Sequence, residues 1–221
     1  MAYHLNFGYI WAHFDKLTWG LLLSLELAVV SILIGMAIGL GLALAYTGSG
    51  RLIHGIVAGY VEFIRNVPLL LLIYLVFYGV PSVGGFAYDA TTSFVITLSV
   101  YAGAYMVEVF RAGLAAVPRG LIDAGKAIGL TAWQRLVHVR LPTMFRIVLP
   151  SLSNAFVSLF KDTSLASVIA VPELTYGAQW IKTNSFRVIE VWIVVTPMYL
   201  ITGYALLFAL QQLERRFAVQ R

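Results

Sequence analysis

Residues 18–45 read TWGLLLSLELAVVSILIGMAIGLGLALA. Leu, Gly and Ala dominate the run, and it is longer than the roughly 20 apolar residues a helix needs to cross about 30 Å of hydrocarbon. It ends at the turn-like Thr47-Gly48-Ser49-Gly50. Of the 221 residues in the chain, 60% are hydrophobic and 11% charged, against roughly 25% charged in a soluble domain. Lipid is the solvent that suits this composition.

Working outward, four more spans are expected, at about 58–80, 92–112, 143–160 and 188–210. The second carries Glu62, Arg65 and Pro68 in its first half and ends before Gly79-Val80-Pro81. The third carries Tyr101, Tyr105 and Glu108 at helical spacing. The fourth begins after Pro142 and contains Pro150, and the fifth has Glu190 near one end and Pro197 near its middle. The chain reads as all-α and membrane-integral, one domain over 1–221 with about five transmembrane helices, with neither an internal repeat nor a soluble domain boundary.

Charge orients the spans. Arg111, Arg119, Lys126, Arg135, Arg140 and Arg146 cluster in and around the loop at 113–142, and Arg215, Arg216 and Arg221 lie at the C-terminus. The positive-inside rule puts both regions in the cytoplasm and the N-terminus outside. The outer loop near 81–91 has no Lys or Arg, whereas the one near 161–187 has Lys161, Lys182 and Arg187. The net charge of +5 follows this distribution and does not indicate nucleic acid. No cleaved signal peptide is expected at the N-terminus. With no cysteine, disulfides, thiol catalysis and Cys-ligated metals are excluded. His4, His13, His54 and His138 lack metal-ligand spacing, so no metal site is expected.

The cytoplasmic loop contains a near-match to a nucleotide-binding motif. Gly120-Leu-Ile-Asp-Ala-Gly125-Lys126-Ala127 fills G-x-x-x-x-G-K-[ST] except at its last position, where the Mg²⁺-holding hydroxyl is missing. It also follows a membrane helix and Pro118 where a β-strand belongs. Two short helices are the better reading. The first runs from Leu121 to Ile128 and stops at Gly129; the second opens with a Thr131/Gln134 capping box and closes before Pro142. Asp123 is expected in the first turn, suited to the positive helix terminus. Ala124, Gly125 and Ala127 leave little bulk, so that another surface can approach. Composition alone favours an ordinary amphipathic connector lying on the membrane.

The spacing Asp123-Ala124-Gly125-x3-Gly129-x9-Val139-x-Leu141-Pro142 resembles the cytoplasmic signature of ABC-importer permeases, E-A-A-x3-G-x9-I-x-L-P, with every interval intact. Asp, Gly and Val replace Glu, Ala and Ile. The resemblance extends through Tyr60-Val-Glu62-Phe-Ile-Arg65-Asn66-Val-Pro68, Tyr101-Ala-Gly-Ala-Tyr105-Met-Val-Glu108, Phe160-Lys161-Asp162-Thr163-Ser164-Leu165 and Leu213-Glu214-Arg215-Arg216, which are similar to the polar amino-acid uptake branch. It implies the type I importer permease fold, with Asp123, Ala124, Gly125, Gly129, Leu141 and Pro142 in a coupling helix and its flank that seat on a cytoplasmic ATPase dimer. It further implies a second permease copy or paralogue, an extracytoplasmic amino-acid-binding protein, a bacterial-type inner membrane, and ATP and Mg on the partner with no cofactor in this chain.

Ionisable side chains inside spans are costly and commonly face a cavity or a partner. A zwitterionic substrate needs a cation for its carboxylate and an acceptor for its ammonium. Asp162, Thr163, Ser164, Lys161, Arg65, Glu108 and Tyr105 are therefore pathway candidates, with Glu62, Glu190 and Tyr101 beside them. Each has a structural alternative: Glu62 with Arg65 and Glu108 with Arg111 are spaced to pair along a helix face, Lys161 and Asp162 to cap one, and the tyrosines to pack. The chain is thus expected to be the permease of a binding-protein-dependent importer, with no catalytic residue of its own. The alternative is a stand-alone secondary transporter or channel; no nucleophile or metal motif supports an enzyme.

Overall fold

The computed structural model describes residues 4–48, 50–85 and 87–217. Ser49 of the expected turn and Arg221 of the basic tail fall outside them. Helix α1, Gly8–Ala12, leads into α2, Phe14–Gly48. At 1.5 Å per residue α2 is about 52 Å long, more than the hydrocarbon thickness. Its buried positions include Ser24, Ala28, Ser31, Gly35, Gly39 and Ala43, a line of small residues. From Gly35 onward that line lies against α6, Ala90–Ala115. A Cβ added to Gly35 would sit 2.6 Å from the Ala102 Cβ, and one on Gly39 would sit 2.3 Å from the Met106 Cβ. The two backbones are therefore closer than any larger side chain permits, the small-residue packing that holds helices together where lipid removes the hydrophobic drive.

The same contacts give the direction of each helix. A step of four from Gly35 to Gly39 matches a step of four from Ala102 to Met106, so α2 and α6 run parallel. The chain between them must return across the membrane. That return is made by a broken pair, α3 (Arg51–Asn66) and the run from α4 (Leu69–Tyr74) through α5 (Val80–Gly84), bent by 106°. The expected single span at 58–80 is thus interrupted. Pro68 is the cause: the residue before a proline is pushed out of the helical region, and Val67 is extended at φ −96°, ψ 131°. Counting the broken pair, the bundle has five crossings, four of them by helices that are long and apolar on their own.

Two further helices, α7 (Arg119–Ala127) and α8 (Ala132–Arg135), form the loop after α6. No break follows at Pro142. The chain stays helical from Ala132 to Ile169, through a π turn at Leu136–Arg140, helix α9 (Leu141–Asp162) and a 3₁₀ turn at Thr163–Ile169. A second π turn spans Leu75–Gly79. Each π turn contains the residue four before a proline, Phe77 before Pro81 and His138 before Pro142. Proline has no N–H for that carbonyl and its ring crowds it, so the ladder slips by one residue and the helix continues. Helix α9 runs antiparallel to α6, with Phe145 5.8 Å from Phe110 at one end and Leu159 and Asp162 beside Tyr101 at the other.

Helices α10 (Leu174–Ser185) and α11 (Val188–Phe217) complete the chain. Leu17 from the start of α2, Leu174, Ala178 and Ile181 from α10, and Val191 and Val195 from the start of α11 share one apolar cluster, so α2 and α11 also run parallel. Buried Glu190 accepts the Asn6 amide at 3.0 Å and pairs with Arg187 at 3.3 Å, pinning the N-terminal segment to the head of α11. Asp89 caps α6 at the Thr92 amide, and the Thr92 hydroxyl and amide hold its carboxyl below the usual range.

The glycine contacts give a paired test. Gly39→Ala is expected to cost about 1–3 kcal/mol through overpacking. Gly41→Ala, whose Cβ meets nothing within 4 Å, is expected to be neutral or to stabilise by up to about 1 kcal/mol. Unfolding of the purified chain in one detergent distinguishes the two outcomes.

Candidate functional site

The α7–α8 loop is built by local capping. Helix α7 starts behind Pro118, two residues earlier than expected, so Asp123 lies beyond the first turn and does not face the positive terminus. It pairs instead with Lys126 at 2.8 Å, both side chains exposed; such a pair contributes at most about 1 kcal/mol. The end of α7 is a Schellman turn. Gly129 adopts φ +80°, its amide donates to the Lys126 carbonyl at 2.9 Å, and the Leu130 amide donates to the Gly125 carbonyl at 3.0 Å. The expected capping box is present: the Gln134 amide donates to the Thr131 hydroxyl at 3.3 Å and the Thr131 amide to Gln134 Oε1 at 2.8 Å.

Gly125 has a different use from the one expected. It is buried against its own loop, where a Cβ would lie 3.3 Å from Arg135 Cγ, and Arg135 in turn donates to the Leu130 carbonyl. Its smallness lets α7 pack on α8. The surface offered outward carries Asp123, Ala124 and Gly129, with three apolar side chains that motif reading passed over: Leu121 (45% exposed), Ile128 (77%) and Trp133 (70%). Their signal was present as isolated apolar residues in a basic loop. Leu141, half-buried, and Pro142, exposed, lie at the start of α9. The near-match at Gly120–Ala127 is helical, and no strand precedes it among the described residues.

At the far end of α9 a small pocket of about 100 Å³ is lined by Tyr101, Tyr105, Ala155, Ser158, Leu159 and Asp162. The two phenol oxygens are 3.1 Å apart. Arg65, carried in by the last turn of α3, lies over the Tyr105 ring with its guanidinium carbon 5.1 Å from the centroid. Among the described residues Arg65 forms no ion pair with Glu62, so the structural alternative of a pair on one helix face is absent and a cation–π contact stands in its place. Arg65, which does not line the pocket, and Asp162, which does, thus lie near the same tyrosine pair. A cation and an acceptor are the two groups a zwitterion requires.

The remaining candidates sit elsewhere. Glu108 pairs with Arg111 at 3.4 Å, and Arg111 also lies over Tyr46 at 4.4 Å, the structural alternative for that carboxylate. Lys161 faces a groove between α9 and α11 beside Val157, Tyr199, Leu200 and Tyr204. Thr163 is fully buried and donates to the Phe160 carbonyl at 2.6 Å, whereas the Ser164 carbonyl accepts from Ser167. Glu190 belongs to the N-terminal clasp. Sequence reasoning missed Glu173, a fully buried carboxylate at the start of α10 that ties three helices together. A Val-Pro-Glu-Leu run ahead of a helical pattern was its one visible signal. Among the described residues no group of His, Cys, Asp or Glu is arranged to hold a metal ion.

Comparison with known proteins gives a consistent picture. Residues 18–219 match the family described as the binding-protein-dependent transport system inner membrane component. The chain is 33% identical over 211 residues to the glutamine transport system permease protein of Escherichia coli (strain K12), covering 95% of this chain and 96% of that one. It is 37% identical over 201 residues to the L-cystine transport system permease protein of Bacillus subtilis (strain 168), covering 90% and 86%. A crystal structure of an amino acid ABC transporter with histidines superposes with a TM-score of 0.89 at 29% identity, covering 97% of this chain and 100% of that one. The methionine ABC transporter MetNI in an inward-facing form has the same fold, with a TM-score of 0.80 at 19% identity over 92% and 97%.

The capping box yields a local test. Thr131→Ala is expected to cost α8 about 1 kcal/mol, so the amides of Ala132–Arg135 should exchange with deuterium about fivefold faster. Exchange around Tyr101 and Asp162 should not change.

Proposed function

The chain belongs to the family of binding-protein-dependent transport system inner membrane components, and from that membership we propose that it is the permease of an ATP-driven importer of polar amino acids. The observation that carries the substrate class is the Tyr101–Tyr105 pair, with Asp162 in its pocket and Arg65 over the Tyr105 ring. The amino-acid carboxylate goes to Arg65, and its ammonium to Asp162, with Ser158 and the two phenols as neutral polar neighbours. Named relatives that handle glutamine and cystine support this reading. On one chain the pocket is small, about 100 Å³, and a second permease copy or a paralogue completes the pathway.

ATP is bound and hydrolysed, with Mg, on a separate pair of ATPase subunits. They grip the α7–α8 surface, with Asp123, Ala124 and Gly129 at the contact and Gly125, Leu141 and Pro142 holding its shape. An external binding protein delivers the substrate to the opposite face, with the N-terminus outside and the C-terminus in the cytoplasm. Support for this orientation comes from the basic residues of the α6–α9 connection and of the end of α11. ATP-driven closure of the partner dimer moves α7, and the spans open outward; hydrolysis resets them.

Co-reconstitution of the permease, its ATPase and its binding protein in liposomes tests the division of labour. Asp162→Asn is expected to lower uptake of labelled glutamine by about tenfold or more, through loss of one charge-assisted bond, while basal ATP hydrolysis is retained. Asp123→Lys is expected to abolish the stimulation of hydrolysis by loaded binding protein while the chain remains folded. ATP turnover by this chain alone, or uptake without the ATPase, would sink the reading.

A further inference from the structure

Glu173 stands at the N-terminus of α10 with its side chain fully buried between α2 and α11. Oε1 accepts the Tyr176 amide at 2.8 Å. Oε2 accepts the Thr175 amide at 2.8 Å, the Tyr199 hydroxyl at 2.9 Å and the Ser24 hydroxyl at 3.3 Å. Approach is close on the α2 side, where a Cβ on Gly20 would lie 2.8 Å from the Glu173 carbonyl carbon. A carboxylate that receives four donors is satisfied while ionised. The same shell also accommodates the acid, because of Ser24.

The Ser24 hydroxyl has one hydrogen and two acceptors within reach, Glu173 Oε2 at 3.3 Å and the Gly20 carbonyl at 3.0 Å. With Glu173 ionised, Ser24 donates to it. When Oε2 takes up a proton, the hydroxyl turns to Gly20 and its oxygen accepts the new O–H. That oxygen's second lone pair already faces the Leu174 amide at 3.4 Å. The Tyr199 hydroxyl, 2.9 Å from Thr175 Oγ1, keeps its place in both states. One rotation therefore reconciles the charged and neutral carboxyl without leaving a buried donor or acceptor unpaired.

We propose that Glu173, Ser24 and Tyr199 form a buried proton-binding site, with the Ser24 hydroxyl as its switch, that adjusts how tightly α10 is tied to α2 and α11. The groups acting on the carboxyl are the Thr175 and Tyr176 amides from α10, the Tyr199 phenol from α11 and the Ser24 hydroxyl from α2; among the described residues no cation contributes. Burial accordingly outweighs the hydrogen bonds and pushes the group up from its ordinary 4.5 to about 7. A folded chain that holds this proton more firmly than the unfolded chain gains stability that is fully present below 4.5 and is lost as pH rises through about 7. The site does not depend on the substrate assignment at Arg65 and Asp162.

Infrared difference spectra of the full chain in lipid nanodiscs, taken on either side of neutral pH, read the site directly. The expected result is a carbonyl band of a protonated carboxylic acid that vanishes on alkalinisation, shifts in deuterium oxide and is missing from Glu173→Gln. Thermal unfolding should lose its decline between pH 4.5 and about 7 to the same extent in that variant. Tyr199→Phe keeps the carboxyl and removes one bond to its charged form, so the midpoint should rise by about one pH unit, a readout that survives if Glu173→Gln fails to fold. A band and unfolding profile unchanged in Glu173→Gln, or a midpoint unmoved in Tyr199→Phe, overturns the assignment.

Discussion

The close approach of α2 to α6 is the constraint on which the rest of the bundle depends. In lipid, apolar side chains gain little by leaving their surroundings for each other, so helices associate through fit. Ser31, Gly35, Gly39 and Ala43 supply that fit along α2, and Ala102, Gly103 and Met106 receive it on α6. Gly103 and Gly113 extend the arrangement to other faces of α6. A Cβ on Gly103 would meet the Tyr60 hydroxyl from α3 at 2.8 Å, and one on Gly113 would meet Val148 of α9 at 2.2 Å. Helix α6 is thus a hub, and its small residues decide where the Tyr101–Tyr105 face and Asp162 come together.

Much of this was legible in the chain. Apolar length announced the spans, and Thr131, Gln134 and Gly129 announced the loop, because caps and left-handed turns are decided by near neighbours. The start of α7 was misjudged by two residues, enough to take Asp123 out of the first turn. Pro142 marked a boundary by rule, yet the helix runs through it by slipping into a π turn, which spacing alone does not forecast. Glu62 and Arg65 had the spacing of an ion pair, but a ring from α6 lay closer to the guanidinium. Glu173 is hidden because residues 161–187 read as an outer loop, whereas the segment folds back between α2 and α11, against Ser24 and Tyr199. The misses at Arg65 and Glu173 concern contacts between residues distant in sequence.

The charges follow one economy. All three ion pairs among the described residues join positions three apart on the same stretch of chain, Glu108 with Arg111, Asp123 with Lys126 and Arg187 with Glu190. None ties one span to another. Links between spans fall to small residues, aromatic contacts such as Arg65 on Tyr105, and hydroxyl bonds such as Tyr60 to the Val100 carbonyl at 2.6 Å. Spans joined in this way avoid the desolvation cost of buried charge pairs and can shift relative to one another without stranding a charge.

The unbroken helicity from Ala132 to Asp162 makes the loop and the pocket two ends of one rod about 45 Å long. Continuous helix joins Trp133 to Asp162, with Pro150 inside it as a place where the rod can bend. The π turn ahead of Pro142 is the one place where the rod carries a spare residue. Passing that residue along the ladder by one position would turn everything beyond it through roughly a quarter of a revolution, so the proline that keeps the slack in place also sets the angle at which the pocket is held.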